Sequence, residues 1–199
     1  GMTRRTLIQS AAAGAAGAVL AGSTGSAHAA EACCPAGGSS ADVKTHTNDE
    51  FYTDGTFDQK KAKQAYFDMM ERFGYPVVDK LRTDEFWVLD FACGDFVNAG
   101  MGGIFWWNDK KYGYFGHEIY LLPGQMIVEH AHVKTDQPPK MEAWQVRHGM
   151  IYTFGEGEET KPCPVKLPES QKKHITVKHV VPLKPGEIAG LNRPEARHF

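Results

Sequence analysis

A basic excess is missing from this chain: 22 Lys and Arg stand against 24 Asp and Glu, for a formal net charge of -2. That argues against a surface built to track a phosphate backbone. Long apolar runs are missing too, since the weakly apolar, small-residue stretch from Ala11 to Leu20 is too short for a membrane span. Cysteine is scarce, at four in 199 residues. The adjacent pair Cys33 and Cys34, with Cys93 and Cys163, admits three connectivities, and a bond between neighbours is strained, so no disulfide is assigned. The context of Cys33 lacks the aliphatic residue of a lipid-attachment box. No internal repeat of fixed period occurs. What is present is 42% hydrophobic and 11% aromatic content, enough for one globular domain with a core, and 21 Gly with 11 Pro, which fits many turns and short strands.

The N-terminus reads as a targeting signal. Thr3-Arg4-Arg5-Thr6-Leu7 is a twin-arginine pattern, and Ala27-His28-Ala29 supplies small residues around a cleavage point. Residues 1–29 are therefore expected to be a twin-arginine signal peptide and the destination periplasmic or secreted. Export in the folded state would let a weak binder such as manganese be installed before copper or zinc can compete. Residues 30–55 read as a linker or arm, with Gly37-Gly38-Ser39-Ser40 and then a polar run. Residues 56–199 form the expected domain. Residues 44–57 are a candidate arm for a homodimer.

One helix stands out. Asp58 is its expected N-cap; Ala62, Ala65, Tyr66, Met69, Met70 and Phe73 follow helical spacing; Gly74 and Pro76 stop it. Strands are expected over Phe86–Phe91, Gly103–Trp107, Glu118–Leu122, Met126–His132, Ala143–Phe154, Ile175–Val181 and Glu187–Leu191, separated by Gly- and Pro-bearing turns. The fold class expected is all-β, a small antiparallel barrel or jelly roll with the helix packed outside.

The chemistry concentrates between Gly124 and Gly149: Gly124, five residues, His130-Ala131-His132, nine residues, Glu142, six residues, Gly149. Strand side chains alternate with period two, so His130 and His132 share a face, and a carboxylate on the next strand can close on the same point. Two imidazoles and a carboxylate suit a first-row transition metal. Glu129 falls on the opposite face and is expected in solvent, so that Glu129→Ala would leave metal content unchanged. Trp106-Trp107 offers a sugar-stacking plate, although core packing is expected for at least one of the two. His28, His46, His117, His148, His174 and His179 lack ligand spacing and are read as surface or core residues, with His148, beside Gly149, a secondary candidate for lining the barrel.

The Gly124–Gly149 pattern resembles the first motif of the cupins, whose fold is a double-stranded β-helix, with a longer gap before the glutamate through Thr135-Asp136-Gln137-Pro138-Pro139. The resemblance implies a fourth ligand from a later strand, for which Pro194-Glu195-Ala196-Arg197-His198 is the candidate. The expected metal ligands are then His130, His132, Glu142 and His198, leaving one or two positions for water or substrate. Several segments together look like the D-lyxose isomerase family of cupins, from about Tyr66 to Phe199: Phe86 to Phe96, Pro123-Gly124-Gln125, His130-Ala131-His132, Lys140-Met141-Glu142, Arg147, Gly149, Pro185-Gly186-Glu187 and Pro194 to His198.

That family resemblance implies an aldose–ketose isomerase acting on a monosaccharide, a pentose or hexose such as D-lyxose, by enediol proton transfer. The implied cofactor is a divalent metal, usually manganese, with iron, cobalt, nickel or zinc as alternatives. Lys140 would face the substrate oxygens. The family's acidic strand beyond the closing histidine has no counterpart before Phe199, so the general base is unassigned. Two other readings stay open: an exported metal cupin that binds a carbohydrate or small polar ligand without turnover, and a cupin oxygenase.

Overall fold

The computed structural model describes residues 44–109, 111–136 and 138–199. The stretch read as a signal peptide, residues 1–29, lies outside these residues, as do Cys33 and Cys34. No described helix is long and apolar enough to cross a membrane.

Residues 48–57, read as the end of a linker, fold onto the domain. Asn48–Glu50 makes a 3-10 turn, and β1 (Tyr52–Thr53) pairs with β2 (Thr56–Phe57) in a short hairpin. Phe51 is 1% exposed and packs its ring on Phe96, while Asn48 hydrogen-bonds Asp95 and the Val97 amide. Helix α1 (Gln59–Arg72) follows. The Asp58 side chain caps it by accepting from the Lys60 and Lys61 amides, a contact worth about 1 kcal/mol in such positions. Gly74, at φ +68, lets the chain leave the helix.

The buried stripe Ala62, Ala65, Tyr66, Phe67 and Met70 packs with Phe86, Val88, Ile104 and Tyr120. Those four belong to, or precede, a three-stranded antiparallel sheet of β3 (Trp87–Leu89), β4 (Met101–Asp109) and β5 (Tyr114–Tyr120), in that order. Helix and sheet approach closely because β4 is thin here. A Cβ at Gly102 would come within 2.9 Å of the Tyr66 and Phe86 rings, and one at Gly103 within 2.4 Å of Trp87. A bulge between Phe105 and Trp107 then breaks the alternation of β4. This bulge corrects the expectation for Trp106-Trp107: both rings reach the surface, at 38% and 58% exposure, instead of one entering the core.

The second half wraps as nested pairs. β6 (Ala143–Gln145) pairs with β9 (Ile188–Gly190), and β7 (Ile151–Gly155) pairs with β8 (His179–Leu183), all antiparallel. A short helix α2 (Glu169–Lys172) lies in the connection between β7 and β8. Nested antiparallel pairs and a covering helix make an all-β architecture of the jelly-roll kind. The strand expected over Glu118–Leu122 begins and ends earlier, as β5, and that expected over Ile175–Val181 begins and ends later, as β8; two other expected strands differ in kind. Ala143–Phe154 is broken into β6 and β7 by a turn in which Gly149 has φ +74. Residues 126–132 are extended but pair only at isolated points, Ala99 with Met126 and His130 with His198, so no continuous ladder forms.

Glu50 locks the start of the described chain. Its carboxylate accepts from the Thr47 amide at 2.9 Å, lies 3.1 Å from His46 Nδ1 and 3.2 Å from Lys44 Nζ. The Thr47 hydrogen bond, then those of His46 and Lys44, hold its pKa at about 2 instead of the ordinary 4.5. A carboxyl lowered on folding stabilises the fold fully above its free value and loses that contribution as pH falls through the folded value. An NMR titration should therefore show the Thr47 amide shift moving with a midpoint near 2, and no such movement in Glu50→Gln. A midpoint near 4.5 would mean that the lock is not formed in solution.

Candidate metal centre

Three imidazoles meet at one point. His130, His132 and His198 each offer a ligand atom, and these atoms lie within 4.8 Å of one another. His130 and His132 come from the extended segment ahead of the insert. His198 is brought in by a mutual backbone pair in which His130 and His198 each donate an amide to the other's carbonyl at 3.0 Å. The ring centroids are 4.2 Å apart for His130 and His198.

The tautomers follow from the hydrogen bonds. His130 Nδ1 lies 3.0 Å from the Val128 carbonyl, His132 Nδ1 3.1 Å from that of Lys140, and His198 Nδ1 2.9 Å from that of Ala196. A carbonyl only accepts, so each Nδ1 turns its proton to a carbonyl, which leaves Nε2 as the nitrogen that would bind a metal. Three clustered imidazoles whose second nitrogens are tied to backbone carbonyls are what a metal site asks of its histidines. Burial pushes the His198 pKa down, opposed by the Ala196 contact and reinforced by the neighbouring His130 and His132. Trp144 stacks on it at 5.6 Å and 12°. The donor set therefore fits a divalent transition metal.

Glu142 stands at the edge of this group. Its Oε2 is 3.5 Å from His132 Nε2, while its Oε1 accepts from Lys140 Nζ at 2.8 Å. Burial raises its pKa, but the hydrogen bond and charge of Lys140, with His132 and His117 beyond, outweigh that and hold it below the usual value. Lys140 itself spans Glu142 and the Phe115 ring, whose centroid is 5.1 Å from Nζ. All five residues singled out in the sequence thus lie together. His148 does not join them; it is exposed and lies beside Phe73.

Glu129 is the clearest correction. Alternation does turn it from the histidines, yet its side chain is 2% exposed. It accepts from the Thr176 amide and hydroxyl at 2.5 Å, the Val177 amide at 3.1 Å and Arg197 at 3.0 Å. The loop at 176–177 and the C-terminal segment cover the face that a lone strand would leave to water. Glu156 holds the same segment through the Arg193 guanidinium and the Arg197 amide. Phe199 stacks on Phe154 at 4.3 Å.

No protein-family model matches the chain. It is similar to D-lyxose isomerases. It is 35% identical over 101 residues to the D-lyxose/D-mannose isomerase of Thermosediminibacter oceani, covering 50% of this chain and 55% of that protein. It is 28% identical over 134 residues to the D-lyxose ketol-isomerase of a Thermofilum species, covering 64% and 70%. To the D-lyxose ketol-isomerase of Cohnella laeviribosi it is 26% identical over 129 residues, covering 64% and 69%. The chain thus spans little more than half the length of the first of these relatives.

His117, read from the sequence as a surface or core residue, lies close to this group. This half-buried ring sits on β5, acts electrostatically on Glu142 and Lys140, and has an unpaired, enclosed Nδ1. Period-two alternation from Phe115 was the available signal.

Two substitutions separate ligand from support, both read by metal analysis and calorimetry with manganese. His130→Ala should abolish stoichiometric binding while the circular dichroism spectrum stays unchanged. Glu129→Ala should keep a site but weaken it by on the order of tenfold, since residues behind metal ligands typically contribute that much. Unchanged affinity in Glu129→Ala would show that the C-terminal segment docks without its carboxylate.

Proposed function

We propose that this protein is a metal-dependent aldose–ketose isomerase acting on a pentose or hexose such as D-lyxose. The observation that carries the reading is the convergence of three Nδ1-protonated histidines beside the Lys140–Glu142 ion pair. Similarity to D-lyxose isomerases supplies the substrate class. His130, His132 and His198 would hold the ion, with Glu142 as the fourth ligand. A divalent ion, manganese by the family resemblance, would supply Lewis-acid polarisation of the sugar's carbonyl and adjacent hydroxyl oxygens when bound.

The reaction moves one proton between C2 and C1 and another between the two oxygens, through an enediol, with no net change of oxidation state. Lys140 is suited to the oxygen side of that exchange. One of the three Nζ donors holds Glu142, and the others, which have no hydrogen-bond partner among the described residues, would meet a substrate oxygen as negative charge develops there. The Phe115 ring under the ammonium fixes its position. The twin-arginine reading of residues 1–29 would place this chemistry in the periplasm.

Incubating the manganese-loaded protein with pentoses and hexoses in heavy water, followed by NMR, tests the proposal. The expected result is a ketose, or aldose in the reverse direction, carrying deuterium at the transferred position. Lys140→Met should retain manganese while kcat falls about 100-fold, the size expected for removing a donor at developing charge. No interconversion of any sugar with the metal demonstrably bound would sink the isomerase and leave a binding protein.

A further inference from the structure

One wall beside the metal centre is aromatic and carries two polar atoms without partners. Residues opposite one another in the register share a face, so Trp87, Gly103 and Ile119 form one row across β3, β4 and β5, and Phe105 and His117 form the next. Phe115 continues the row along β5. The other face of the same strands, with Val88, Ile104 and Tyr120, is committed to the core under α1. Gly103 has no side chain, and the Trp87 indole occupies that space. The rings form a connected surface: Trp87 to Phe105 at 6.2 Å, Phe105 to His117 at 5.1 Å and His117 to Phe115 at 5.1 Å.

This wall begins at the site. Phe115 lies under the Lys140 ammonium, and Glu142 and Lys140 are the charges that act on His117. Trp87 Nε1 and His117 Nδ1 are buried without hydrogen-bond partners, which native structures seldom leave unexplained. His117 Nδ1 is enclosed, with Phe105 and Phe115 against the ring, so Nε2 is the atom left to meet a ligand. Burial pushes the His117 pKa down, and the ring presents a neutral polar tip on an apolar surface.

An apolar plate with a single neutral hydrogen-bonding tip suits a polyhydroxylated carbon chain, which has C–H faces and hydroxyl edges. If the C1–C2 end of a sugar sits at the histidines and Lys140, its later carbons run along this wall. We infer that His117 contacts the bound sugar directly, its Nε2 hydrogen-bonding a hydroxyl beyond the C1–C2 end, while Phe105, Phe115 and Trp87 pack on the C–H face. This rests on the isomerase reading and adds a specificity residue to it. His117 selects among sugars by the orientation of that hydroxyl, because a site built for a hydroxyl discriminates strongly against its absence.

The test uses the full manganese-loaded chain with D-lyxose and D-mannose. His117→Phe fits the aromatic surroundings and deletes the polar tip; His117→Gln restores a neutral donor and acceptor. The expected result for His117→Phe is full manganese content, a three- to tenfold rise in KM for D-lyxose, as befits one hydrogen bond to an uncharged group, and a smaller change in kcat. His117→Gln should recover part of the loss. A KM within twofold of the parent overturns the inference, as does loss of manganese in both variants, which would make His117 a support for Glu142. If the parent chain turns over neither sugar, the isomerase reading fails by itself. Calorimetric binding of D-lyxose to the parent and to His117→Phe then decides the inference: weaker binding in the variant upholds it, and equal or no binding overturns it.

Discussion

The candidate centre depends on one docking event: the closing residues of the chain lying down against residues 128–132 and against β7. Without the reciprocal amide pair between His130 and His198, the third imidazole has no reason to stand beside the other two. That pair is only two hydrogen bonds, each worth little net in water. Its surroundings make it specific. Phe199 exchanges two further backbone hydrogen bonds with Phe154 and stacks on its ring, Arg197 reaches the buried Glu129, and Arg193 holds Glu156. Two arginine–glutamate contacts and one aromatic stack thus set the register in which the histidines converge. A register slip of one residue would turn His198 to the other face.

Electrostatics and packing act together around that point. The histidines each turn Nδ1 to a backbone carbonyl, the carboxylate lies between His132 and Lys140, and the ammonium rests on an aromatic ring. The negative and positive groups are neighbours at the rim, while the more buried imidazole, His198, is covered by Trp144. Such an arrangement can accept a cation and still leave a charged donor free for a substrate oxygen.

Much of this was legible in the sequence, and the reasons are local. Asp58, Ala62, Ala65, Tyr66 and Met70 declare a capped amphipathic helix, since capping and 3.6-residue spacing depend only on near neighbours. His130 and His132 declare a shared face by alternation, and Pro123-Gly124 marks a turn where φ is positive. What was not legible depends on distant partners. Glu129 looks like a solvent carboxylate until the loop carrying Thr176 and Val177 crosses it. Trp106 looks like a core residue until a bulge shifts β4 out of phase. His117 looks ordinary because its neighbours in space, Phe105 and Lys140, lie on other segments. Gly103 reads as one more residue of a strand, yet its lack of a side chain lets an indole cross that strand.

Gln125 gives the outer helix a stake in the inner site. Its amide is buried, accepting from the Tyr66 hydroxyl on α1 at 2.6 Å and the Leu122 amide at 3.0 Å, and donating to the Phe96 carbonyl. It stands five residues before His130, so one side chain ties the helix to the segment that carries two of the three histidines. By mass action, whatever binds the folded arrangement of those histidines and not the unfolded chain must also raise the free energy of unfolding the helix. Helix and site are thus linked through a glutamine that belongs to neither.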